Sequence, residues 1–119
     1  MAYKAKEKGY EITAIFGGVS LDKLNDFNLI KKSSLELLKR AGFTILGEMD
    51  HVFNPQGYTF IVLLAESHFA VHTYPEYNTI YFHLYTCGEK DETEIFSKLK
   101  EILNPKESII RKESVQVKF

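Results

Sequence analysis

Residues 58–65, Tyr-Thr-Phe-Ile-Val-Leu-Leu-Ala, form a nearly unbroken apolar run, and no other segment constrains the fold as much. The run is short and holds β-branched and aromatic residues. Asn54-Pro55-Gln56-Gly57 precedes it as a turn and Glu66-Ser67 breaks it, so it reads as a strand. A strand apolar at almost every position belongs in the centre of a sheet, under cover. The rest of the chain must supply its neighbours and that cover.

The neighbours follow from periodicity. Tyr10, Ile12, Ala14 and Phe16 alternate with other residues, giving a first strand that ends at Gly17-Gly18. Phe43–Leu46 starts a second, which resumes through His51-Val52-Phe53. Phe69–Tyr74 and Thr79–Thr86 are two more, joined by a turn over Pro75–Asn78. Ile109, Ile110, Val115, Val117 and Phe119 predict one or two closing strands.

The cover is helical. Phe27, Ile30, Leu37, Leu38 and Ala41 share one helical face, with Asn25 or Asp26 placed to cap it and Gly42 to end it. Asp91 and Glu94 have capping-box spacing ahead of Ile95, Phe96, Leu99, Ile102 and Leu103, and Asn104-Pro105 stops that second helix. The order β-α-β-β-β-β-α-β predicts an α+β fold: a two-layer sandwich, largely antiparallel, with two helices on one face. At 119 residues and 45% hydrophobic, the chain suffices for one domain and one core, spanning 1–119.

Composition narrows the function classes. Charged residues make up 26% and the formal net charge is -1, with no basic stripe, which argues against disorder and against nucleic-acid binding. One cysteine permits no internal disulfide and fits a reducing compartment. Met1–Gly9 is polar and lacks the apolar stretch of a secretory signal. Phe60–Ala65 is far short of the roughly 20 residues a membrane span takes. The expectation is a cytoplasmic protein without a membrane partner.

The chemistry is concentrated after the apolar run. Glu66, Ser67, His68 and His72 fall within seven residues, and Cys87 closes the following strand. A serine needs a base to become a nucleophile, and two imidazoles are nearby in sequence; if the chain bends at Glu66-Ser67, His72 folds back within reach. There is no Gly-x-Ser-x-Gly elbow. His68 with His72, and His83 with Cys87, have i,i+4 spacing and zinc-type donors, but on a strand that spacing does not chelate, and no metal site is expected. Cys87 and Phe53 also read as core, and Glu76 as a turn cap. The residues alone leave these readings open.

Taken together the motifs have a family likeness. Leu64-Ala65-Glu66-Ser67-His68, then His72-Thr73-Tyr74-Pro75-Glu76-Tyr77, then Tyr85-Thr86-Cys87-Gly88, preceded by His51-x-Phe53-x-Pro55-x-Gly57, resemble the small prokaryotic S-adenosylmethionine decarboxylases from about Gly9 onward. The resemblance implies a proenzyme that cuts itself between Glu66 and Ser67 into residues 1–66 and 67–119. Ser67 becomes a pyruvoyl group, the sole cofactor. His72 is similar to the family's processing histidine, and Thr59 stands where a serine often assists. Cys87 is similar to the acid that protonates the product. Phe53 matches an aromatic that stacks on adenine, and Glu76 a carboxylate near the ribose. The implied product supplies aminopropyl groups for spermidine, and the implied assembly is a homodimer with its active site across the interface.

The chain departs from the family pattern at several places. His83 replaces an acid four positions before the cysteine, and Glu11 replaces the histidine of Gly-x-His on the first strand. Asn54, Tyr74 and Asn78 replace the usual serine, tryptophan and glycine. These departures keep two competitors in view: a pyruvoyl decarboxylase of the same fold acting on ornithine or arginine, and an uncleaved binding domain without catalysis.

Overall fold

A computed structural model describes residues 4–87, 90 and 92–119. Six strands form one sheet: β1 Lys8–Gly17, β2 Ile45–Val52, β3 Tyr58–Leu64, β4 Ser67–Tyr74, β5 Thr79–Thr86 and β6 Glu107–Gln116. Their spatial order is β2-β3-β4-β5-β1-β6, and every neighbouring pair is antiparallel. The helices are α1 Leu21–Leu24, α2 Phe27–Arg40 and α3 Thr93–Leu103. The α+β sandwich read from the sequence is the observed fold, with the four-residue α1 added.

Local chemistry sets the ends of α2. The Asp26 side chain accepts a hydrogen bond from the Leu29 amide at 3.0 Å, and Gly42 leaves the helix in the left-handed region at φ 95°. Asn104, also left-handed, ends α3. The N-cap of α3 is Glu92, without a side-chain capping bond; the capping box expected from Asp91 lies outside the described residues. The last strand is a single one, and Val117 and Phe119 lie beyond it.

The core lies between the sheet and the two long helices. Phe27 of α2 stacks on Tyr58 of β3 with centroids 4.6 Å apart, and Phe96 of α3 meets Phe82 of β5 edge-on at 6.2 Å. Phe16, Phe60, Phe69 and Phe82 project to this side and are fully buried. Among the described residues, the opposite face of the sheet carries no helix. Here the structure corrects the reading of residues 58–65. β3 lies second from the edge, and only alternate residues are covered: Ile61 and Leu63 stand on the open face at 46% and 56% exposure. The run is apolar on both sides, yet within one chain only one side has a partner.

Candidate active site

The break after β3 is a two-residue turn. Leu64 pairs with Ser67, leaving Ala65 and Glu66 at the tip of the β3–β4 hairpin. Ser67 is therefore the first residue of β4. Its neighbours Phe69, Val71 and Thr73 on alternate positions face the helices, and Ser67 is buried with them. Glu66 adopts φ 64°. The other non-glycine residues with positive φ among those described are Asn78 and Asn104, and asparagine tolerates that region far better than a glutamate does.

Ser67 borders a small cavity of about 100 Å³ together with Glu66, Cys87, Phe43, Thr44 and Lys90. β5 ends beside the hairpin tip, and this brings the half-buried Cys87 there. The expected cleavage residues and the expected acid thus share one space. Lys90 and Thr44 were not among the residues picked from sequence. Lys90 follows the cysteine motif in a loop, where no periodicity marks it.

His72 is elsewhere. It is five positions along the same straight strand, about 17 Å at the usual rise per residue. An odd separation also puts its side chain on the open face, opposite to Ser67. The bend that would have folded His72 back lies before Ser67, not after it, so one chain does not join this serine to this histidine. Instead, His72 Nδ1 is 3.0 Å from the Thr59 hydroxyl, its cross-strand partner on β3. Burial lowers the His72 pKa below the ordinary 6.5, which favours the neutral, basic form.

Phe53 and Glu76 fall at the same end of the sheet as His72. Phe53 follows β2; its amide donates to the Gly57 carbonyl at 2.8 Å, and its half-exposed ring meets His51 edge-on at 4.6 Å. Glu76 is exposed in the 3-10 turn Pro75–Tyr77 that leads from β4 to β5. The site residues therefore form two groups: Glu66, Ser67 and Cys87 at the hairpin tip, and Phe53, Thr59, His72 and Glu76 toward the other end.

Two of the departures prove to be one. Glu11 Oε1 on β1 is 2.7 Å from His83 Nε2 on β5, and His83 Nδ1 is 3.3 Å from His68 Nε2 on β4. The two departures thus meet across β1 and β5 as an acid–imidazole pair. Burial and the neighbouring His83 lower the His68 pKa, with Glu11 opposing them. Among the described residues no group of three or more His, Cys, Asp or Glu side chains converges to hold a metal ion, and no helix is long and apolar enough to cross a membrane.

Comparison with known proteins agrees with the fold. The family model described as S-adenosylmethionine decarboxylase matches residues 10–114. An S-adenosylmethionine decarboxylase proenzyme of Brevibacillus brevis is 40% identical over 96 residues, covering 80% of this chain and 72% of that protein. The proenzyme of Geobacillus kaustophilus is 35% identical over 85 residues, 71% of this chain and 68% of its own. The crystal structure of the adenosylmethionine decarboxylase from Aquifex aeolicus superposes with a TM-score of 0.77 at 32% identity, covering 94% of this chain and 92% of that one. A Trypanosoma brucei enzyme shares the fold alone, at TM-score 0.64 and 11% identity, with this chain spanning 44% of it. The chain belongs to the S-adenosylmethionine decarboxylase family.

Proposed function

We propose that this chain is a self-cleaving proenzyme that decarboxylates S-adenosylmethionine, using a pyruvoyl group made from Ser67 after the Glu66–Ser67 bond is cut. The observation that carries this reading is the backbone of Glu66. A glutamate in the left-handed region costs about 1–2 kcal/mol, and it sits on the acyl side of the bond to be broken. Strain at that point raises the energy of the intact peptide and eases its rearrangement. The Ser67 hydroxyl attacks the Glu66 carbonyl, and an ester replaces the amide. Loss of the Ser67 α-proton then releases residues 1–66.

A pyruvoyl group is about the size of the serine it replaces, and the cavity beside Ser67 leaves room for it. Once formed it supplies an electron sink for the substrate's leaving carboxylate. Cys87, on the rim of that cavity, is the proton donor in this reading. Thr59 holds the His72 ring at 3.0 Å. His72 lies too far from Ser67 to act within its own chain, so we assign it, with Thr59, Phe53 and Glu76, to a site completed by a second copy, where it takes the Ser67 α-proton once the ester has formed. The open sheet faces, with Ile15, Ile61 and Leu63, are where two copies meet. Phe53 offers its exposed ring to the adenine, and Glu76 its carboxylate to the ribose. A cytoplasmic location belongs to the same reading.

Intact mass spectrometry of purified protein tests the first part. Two species are expected, residues 1–66 and residues 67–119 without the serine nitrogen; one unbroken chain under maturation conditions overturns the proposal. Release of labelled carbon dioxide is expected from S-adenosylmethionine, and release from arginine or ornithine alone overturns the substrate. Co-expression tests the composite site. A tagged His72→Ala chain should stay intact alone and be cut when Ser67→Ala chains are present to lend it their histidine.

A further inference from the structure

We propose that Lys90 belongs to the self-cleavage machinery, its ammonium stabilising the oxyanion that forms on the Glu66 carbonyl when Ser67 attacks. The inference rests on the self-cleavage reading above and adds a residue to it. Lys90 is the one cation among the described residues that line the hairpin-tip cavity. Its stem lies beside Gly42. A Cβ at that position would be 3.5 Å from Lys90 Cδ and 4.0 Å from Nζ, ordinary packing distances, so the lysine runs past the backbone that closes α2. Gly42 ends the helix at φ 95°, and Phe43 and Thr44, which follow it, border the cavity together with Lys90.

The reaction needs a positive charge here. As Ser67 Oγ bonds to the Glu66 carbonyl carbon, the carbonyl π pair moves onto oxygen. The serine proton leaves Oγ and is returned to the departing backbone nitrogen when the C–N bond breaks, so no further reactant is consumed. Between those events a full negative charge develops on the Glu66 carbonyl oxygen, next to a cavity of about 100 Å³ that Lys90 lines. An ammonium with three donors offsets that charge and can hydrogen-bond to it.

The test uses the full-length chain carrying Lys90→Met, which keeps an unbranched stem on Gly42 and removes the charge. Cleavage followed by mass spectrometry is expected to slow by about 10²–10³-fold, the usual loss on removing one oxyanion donor. Lys90→Arg, which restores the charge, is expected to recover the rate to within about tenfold of wild type. Melting curves of Lys90→Met and Lys90→Arg identify any loss of fold. If Lys90→Met does not fold, Lys90→Gln takes its place with the same expectation. Hydroxylamine separates the steps. It should not cut Lys90→Met, because the ester does not accumulate, whereas it should cut His72→Ala, which stops after the ester forms. A Lys90→Met chain that cleaves at the wild-type rate, or that accumulates the ester, overturns the inference. A wild-type chain that never cleaves overturns the underlying proposal instead.

Discussion

The two faces of the sheet obey the same alternation and solve opposite problems. On the helix side, Phe16, Phe60, Phe69, Phe82 and Leu84 are fully buried. On the other side, Ile15, Ile61 and Leu63 share the surface with Thr59, His68, His72, His83 and Glu11, and no element among the described residues covers them. The covered face is mostly apolar, with Ser67 and Thr73 buried in it. The open face mixes apolar residues with groups that titrate. The core and most of the titrating side chains are thus separated by one strand period, with Ser67 on the core side.

That division is open to direct attack. Phe82→Ala on the covered face should destabilise the folded chain by about 3–5 kcal/mol, read from urea unfolding. Leu63→Asp on the open face should change the stability of the folded monomer by less than about 1 kcal/mol, while shifting sedimentation from dimer to monomer. Equal losses in the two variants would abolish the distinction. Asp26→Ala removes the α2 cap and should cost about 1 kcal/mol without altering assembly. The smallest effect is on pH. Burial holds the folded pKa of His72 below 6.5. Between that lowered value and 6.5 the unfolded chain binds more protons, so stability should rise with pH across this window and fall as pH drops through it. His72→Gln should flatten that slope; an unchanged slope would assign it to other groups, such as His68.

Much of this arrangement was legible in the residues, for identifiable reasons. Strands and helices announced themselves because burying one face imposes a period of two or 3.6, and Asp26, Gly42 and Asn104 marked helix ends through their own backbone chemistry. The motif around Glu66 and Ser67 stood out because its residue types are rare in such density. The reach of His72 to Ser67 within one chain was misread for a geometric reason. Five positions on a straight strand set two side chains on opposite faces, and only the exact place of the bend decides whether the strand is straight. Cover for Ile61 and Leu63 could not be read from pattern either, since a strand looks the same whether its second layer comes from its own chain or another. Lys90 depended on a contact with Gly42, far away in sequence and without any local signature.

The strand order has a mechanical result. A cut at the hairpin tip assigns β1, β2 and β3 to one piece and β4, β5 and β6 to the other, yet β1 is wedged between β5 and β6 while β3 lies beside β4. The pieces are dovetailed along three seams, so a severed molecule has no easy plane along which to come apart. Scission would free a new chain end for catalysis and leave the body that carries it intact.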